Sequence, residues 1–531
     1  MGITVTRRTA ALGMAAALAA PGIARGQRGA DPRVLRFVPQ AALANPDPIS
    51  TLSGVAVNHG FYVWDTLYGI DAQMRPQPQM AEGHSVSDDG LRWTIRLREG
   101  LVFHDGEPVR SKDCAASLRR WGSRDTFGRT FAAAVKDYET PDDRTLVIVL
   151  SNPFPLLLDA IAKAGTAPAF IMPERIATTD ALRPLPEVIG SGPYRFLADE
   201  FNPGSRAAYA KFDRYRPRSE APQWTSGGKV ANFERIEWHM MPDSATASAA
   251  LQAGEVDWWE QVAADLVPVL RRNRNITIAN GDPAGYMGVL RFNHLQPPFD
   301  KPEVRRAVLA AVNQADFMAA VTGNDPTAFN ICHSFYPCTT PYGRAQEPSP
   351  MASPSLERAR EILRGSGYAG EKVVMLNPAD FPSIAPLGLI ANDLMTRIGF
   401  NMDFVSTDWG TVLQRIVNRT RSDQGGWNIF PVWWSGMGIV TPTQNALIRG
   451  QGTAGWSGWF ESAEMEALNA RWLSAPDEAA RLAIGAEMQA LAFREVPTVP
   501  LGQFFIRTAY RTSLTGVLEG PRPVPWNARR V

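Results

Sequence analysis

Histidine and cysteine, the side chains most often used to make and break bonds or hold metals, are sparse in this chain of 531 residues, with six and three, and the histidines stand far apart. The six histidines fall at positions 59, 84, 104, 239, 294 and 333, with no HExxH pair to hold a zinc ion from one helix face. No GxSxG elbow and no GxGxxG turn after a strand occurs. The stretch Ser226-Gly227-Gly228-Lys229 lacks the upstream glycine and following hydroxyl of a phosphate-binding loop. Cys332 and Cys338 flank a short turn-like segment with Pro337. They fit a local disulfide in an oxidising compartment, or two free thiols. A metal held there with His333 would need three ligands from one loop, without an accompanying CxxC or HxxxH, so no metal is expected. Cys114 reads as a small apolar position on a helix. Tryptophan, by contrast, is plentiful. There are fifteen, and Trp427, Trp433, Trp434, Trp456 and Trp459 fall within 33 residues. Such a cluster is either core or the stacking wall of a ligand cleft. The chemistry on offer is contact more than bond-making, although a nucleophile and base can be assembled from distant positions, so a secreted hydrolase stays open.

Composition narrows the partners. The chain is 45% hydrophobic and 20% charged, as soluble globular proteins are. The formal net charge is +1. Residues 1–27 carry Arg7, Arg8 and Arg25 and no acid, and the remaining 51 basic and 53 acidic side chains give −2. A near-neutral body offers no electrostatic case for nucleic acid or an anionic membrane surface. The pair Arg7-Arg8, the apolar run Ala10–Ala20, Pro21 and the small residues Ala24 and Gly26 follow the order of an export signal of twin-arginine type, with cleavage expected near 24–27. No other window is apolar enough to span a bilayer, so a soluble periplasmic monomer without direct membrane insertion is expected.

These residues need a scaffold, and the pattern predicts an α/β one. Strands are expected at 33–38, 92–98, 144–150, 193–197, 207–211, 235–240 and 255–259. Helices are expected at 112–121 behind Ser111 as cap, at 154–164, at 244–253 and at 355–364. Another is expected at 301–313 behind Asp300. A β-α-β unit covers 373–376, 386–398 and 401–405. Alternation over so long a chain implies lobes with mixed sheets. Turn-rich stretches at Asn280–Gly285 and Pro497–Leu501 read as two crossings between lobes, which would leave a ligand cleft between them.

The segment from Ser87 to Pro108, with Asp88-Asp89-Gly90, Trp93 and Phe103-His104-Asp105-Gly106, resembles the signature of the family 5 extracellular solute-binding proteins, the peptide/nickel-type periplasmic receptors of ABC importers. Six further segments fit in order. They are Arg144-Thr145-Leu146 with Pro153-Phe154-Pro155, Gly190–Tyr194, Ala250–Asp257, Asn293 with Pro298–Ala307, Gly367-Tyr368, and Val496-Pro497 with Pro500-Leu501. The resemblance implies a two-lobed, type II-like periplasmic-binding-protein fold with an extra subdomain. It divides the chain into an export signal (1–27), a lobe I core (28–48, 191–280 and 502–531), the extra subdomain (49–190) and lobe II (281–501). It also implies a ligand between Trp409 and Asn445. The family's Gly-Trp-x-x-Asp pattern, whose Asp receives a peptide's ammonium group, corresponds here to Trp433-Trp434-Ser435-Gly436-Met437, with Met437 at the Asp position. A buried ammonium without a carboxylate is uncompensated, so an ordinary zwitterionic peptide is not expected. The candidate ligand contacts are Gln40, Tyr62, Trp409, Trp433, Trp434, Ser435, Met437, Gln503 and Phe504. Arg305 and Arg306 are expected to form surface ion pairs worth little. The implied function is capture of a peptide-like or other small organic solute and delivery to an ABC permease by hinge closure, with no catalysis, cofactor or metal. The alternatives are the hydrolase and a sensor or chaperone that uses the same cleft.

Overall fold

Two large sheets and the segments that cross between them set the architecture of the computed structural model, which describes residues 31–51, 53–343 and 349–531. The expected export signal at 1–27 lies outside the described residues. The first sheet has seven strands. Val34–Val38 is parallel to Arg235–His239 on one side and Trp258–Trp259 on the other. Arg206–Lys211, Tyr194–Phe196, Arg507–Arg511 and Ile276–Asn280 add antiparallel pairings outside them. The second sheet has six strands, in the order Phe329–Asn330, Thr498–Phe504, Tyr286–Phe292, Ile429–Ser435, Lys372–Pro378, Asn401–Thr407. Its last two strands are parallel and joined by the helix Ala385–Ile398, the expected β-α-β unit. Each sheet anchors its own apolar core, and together they form a two-lobed α/β molecule. A four-stranded antiparallel sheet built from Ala81–Val86, Arg92–Leu97, Thr145–Leu150 and Val135–Asp142 adds a subdomain to the first lobe. The alternation in Arg92–Leu97 turns Trp93, Ile95 and Leu97 inward.

The chain leaves the first sheet after Asn280 and enters the second at Tyr286, so the outward crossing runs through the expected stretch. The return differs. Thr498–Phe504 remains paired to Tyr286–Phe292 as far as Phe504, and the first sheet resumes at Arg507. The crossing is therefore at 505–506, beyond the expected 497–501. Pro500, within the stretch expected to cross, sits instead in the strand, where the ladder shifts register between Gly288 and Val289, an irregularity that tolerates a missing N–H.

Local details also move. The helix expected at 112–121 runs Ser111–Arg124 behind Arg110, while the Ser111 hydroxyl donates to the Asp142 carbonyl. The helix expected at 154–164 is confined to Leu157–Ala162. The helix expected behind Asp300 is Pro302–Ala311 behind Lys301, and Asn313 caps a separate helix, Gln314–Thr322. Among the described residues Arg305 makes no surface ion pair. It is buried, and its guanidinium donates to the carbonyls of Glu495, Val496 and Phe299, which ties that helix to the next strand's approach. Arg306 is half-buried, pairs with Glu303 at 3.3 Å and donates to the Arg494 carbonyl. The Gly190-Ser191-Gly192 turn is held tightly, since a Cβ at Gly190 would lie 1.9 Å from the Val63 carbonyl oxygen. Cys332 and Cys338 form a disulfide, and Cys114 is buried. Among the described residues no helix is long and apolar enough to cross a membrane, and no cluster of His, Cys, Asp and Glu could hold a metal ion.

Candidate functional site

The strand Ile429–Ser435 ends at the gap between the lobes, and its last three residues are only half-buried. They face a cavity of about 670 Å³ walled by both lobes and the subdomain. Trp433 is set from two sides. Its ring meets Tyr286 edge-on at 4.5 Å between centroids, and its Nε1 donates to the Ser383 hydroxyl at 2.9 Å. Trp434 meets Trp456 edge-on at 5.1 Å, and the buried Arg291 guanidinium lies 5.1 Å from the Trp456 ring centre. Such edge contacts and cation–π stacking fix ring planes, which keeps a stacking surface ready for a ligand.

Trp409 opens the helix Trp409–Arg415. Asp408 caps that helix by accepting from the Thr411 N–H and hydroxyl, and the Asp380 carboxylate accepts from the Trp409 N–H at 2.8 Å. Phe381 bridges Trp409 and Trp433 at 5.5 and 5.8 Å. Phe381 and Gln40 also border a smaller chamber of about 200 Å³, so the two spaces share a wall.

The opposite wall is polar. Glu260 is buried and accepts from the Gln40 N–H at 2.7 Å and from Asn58 Nδ2 at 2.8 Å. Burial pushes its carboxyl up to about 7 despite those bonds. Behind Ser435 and outside the cavity lining, Asp282 in the outward crossing accepts from the Ala284 N–H and from the Ser435 hydroxyl, and burial pushes it up to about 6. Arg522 donates to the carbonyls of Ala164 and Gly165, so its charge is held by main chain. Burial pulls its pKa down.

Of the residues singled out in the sequence, Gln40, Trp409, Trp433, Trp434 and Ser435 line the large cavity. Phe504 lines the smaller chamber and packs beside Tyr286. Tyr62 lies inside the first lobe. Its ring packs on Tyr209 and Trp238, and its hydroxyl donates to the Pro523 carbonyl. Gln503 is fully buried on the second sheet, where it donates to the Ala284 carbonyl and Thr339 hydroxyl. Met437 is buried where the lobes touch, away from both chambers. Of the five clustered tryptophans, Trp427 is core and the other four line the cavity. Glu260, Tyr286, Phe381, Arg124, Arg129 and Arg522 also line it, and none carried a motif that marked it beforehand.

Comparison with known proteins places this geometry. The model of the bacterial extracellular solute-binding proteins, family 5 (middle), matches residues 75–456. The probable peptide ABC transporter periplasmic-binding protein y4tO of Sinorhizobium fredii is 34% identical, over 99% of this chain and 100% of its own length. The glutathione-binding protein GsiB of Salmonella typhi is 25% identical over 88% of each chain. Among solved structures, AgaA of A. tumefaciens R10 in complex with agropinic acid superposes with a TM-score of 0.80 at 20% identity, covering 94% of this chain and 99% of that one.

Proposed function

The chain belongs to the bacterial extracellular solute-binding proteins of family 5, and from that premise we propose that it is the periplasmic receptor of an ABC importer, exported by its twin-arginine segment and working as a monomer. It captures a peptide-like or other small organic solute between its lobes and hands it unchanged to the transmembrane permease. The observation that carries this reading is the cavity of about 670 Å³ whose stacking wall comes from one lobe and whose polar wall comes from the other. A ligand that touches both walls favours the closed arrangement over the open one by the contacts it gains in closing.

The ligand is not an ordinary di- or oligopeptide with a free amino terminus. The family's ammonium-binding position is Met437, and the carboxylates on the cavity wall are engaged. Asp125 is paired with Lys163 at 2.6 Å, and Glu260 is bonded to Gln40 and Asn58. The test is to denature the purified protein, identify the released solute by mass spectrometry and add that solute back to ligand-free protein. A higher melting temperature and quantitative recovery of unaltered solute are expected, because a ligand specific to the native state stabilises it. Consumption of the solute would overturn the receptor reading. Tight calorimetric binding of unmodified dipeptides would overturn the ligand reading.

A further inference from the structure

Six charged side chains line the large cavity, and they do not balance. Four are arginines (Arg124, Arg129, Arg419 and Arg522) and two are acids (Asp125 and Glu260). Both acids are engaged, Asp125 by Lys163 and the Gly128 N–H, Glu260 by Gln40 and Asn58. Arg522 is consumed by main-chain carbonyls. Arg419 sits at the mouth over Trp459 and donates to the Thr453 carbonyl.

Arg124 and Arg129 differ from these. Arg124 stands at the end of the helix Ser111–Arg124, and Arg129 is one turn into Thr126–Ala134. Arg124 donates from one Nη to the Ser50 carbonyl, while its Nε is buried with no hydrogen-bond partner. The Arg129 guanidinium has no hydrogen bond or ion pair among the described residues. Burial pulls its pKa down, and Arg124 adds to that pull against the attraction of Asp125. A half-buried guanidinium with no hydrogen bond, beside a second whose Nε is buried and unpaired, is costly unless an anion completes them.

We infer that Arg124 and Arg129 form an oxyanion subsite, and that the solute taken by this cavity carries a carboxylate or phosphate seated on these guanidiniums while its apolar part lies against the tryptophan wall. Guanidinium donors match the planar spacing of such anions and bind them through charge-assisted hydrogen bonds. The inference rests on the receptor reading for its solute, though the subsite itself can be read without one.

The tryptophans supply that readout. Eleven of the fifteen are buried, and the half-buried Trp409, Trp433, Trp434 and Trp456 all line this cavity. Ionic quenchers added from solution therefore report the potential inside it. At fixed ionic strength, iodide should quench the ligand-free protein about twofold more strongly than it quenches Arg129→Gln, since a positive cleft concentrates anions. Caesium should show the opposite change, and neutral acrylamide should quench both alike, which certifies an unaltered fold. Equal iodide quenching of the two proteins, with acrylamide also equal, would overturn the subsite. In a second arm, mass spectrometry of solute released from the purified proteins should find a carboxylate or phosphate compound with wild type and little of it with Arg129→Gln. A solute without an anionic group, held equally by both, would overturn the inference and leave the receptor standing. Consumption of the solute would remove the receptor while the iodide result still judged the subsite.

Discussion

Glu260 is held away from water and bonded to two donors, Asn58 Nδ2 and the Gln40 N–H. The burial that raises its folded pKa from 4.5 to about 7 has a definite sign for stability. Between those values the folded protein holds a proton that the unfolded chain has released, so stability falls as pH rises through the window and stays lower above it. Asp282, raised from 3.8 to about 6, acts in the same direction over a lower window. The melting temperature of wild type should therefore drop more between about pH 5 and about pH 8 than that of Glu260→Gln, which has no proton to lose there. Equal drops would mean that Glu260 titrates as an exposed carboxyl does. None of this could be read along the chain. Glu260 follows a tryptophan pair like any strand-end acid, and its partners stand 202 and 220 positions away.

Elements were more legible than their ends. The period-2 run around Trp93–Leu97 and the β-α-β unit of the second lobe were visible because each buries one face against its own neighbours. The return crossing was not, because Pro500 carries a strand-breaking signal that a register shift in the neighbouring strand absorbs. Gln503 and Phe504 consequently belong to the second sheet, and Gln503 is sealed inside it. Trp433 and Trp434 stood out because five tryptophans crowd into 33 residues, and Trp409 because it opens the segment in which the resemblance implies a ligand. Arg124 and Arg129 did not, since arginines near helix ends are commonplace on surfaces. The helix Trp409–Arg415 shows how an element serves the site: its cap residue Asp408 lies beside the ring it presents to the cavity. Asp408→Ala removes the acceptor for the Thr411 N–H and hydroxyl. Amide hydrogen exchange across 409–416 should become several-fold faster in that variant, with the strands of the second sheet unaffected. Unchanged exchange would mean that Asp380, which accepts from the Trp409 N–H, holds the helix start alone.

At the scale of the whole molecule, function depends on how closely the two lobes can meet. Gly165 of the first lobe faces Met437-Gly438 of the second, and a Cβ at Gly165 would lie 2.9 Å from both the Gly438 Cα and the Met437 carbonyl oxygen. Those neighbours are main chain, which cannot swing aside as a long side chain would. The contact adjoins the cavity, because Thr166 lines it and Gly165 accepts from Arg522. Gly165→Ala therefore leaves each lobe's own core intact and acts on the approach of one lobe to the other. If the added methyl disfavours the closed arrangement by about 1.4 kcal/mol, the solute released from wild type should bind the variant about tenfold more weakly, since apparent affinity scales with the fraction of closure-competent protein. Calorimetry measures that loss, and small-angle scattering should show the liganded variant with a larger radius of gyration than liganded wild type. Unaltered affinity and radius together would mean that this contact is not where closure stops, and that the lobes meet on the tryptophan wall itself.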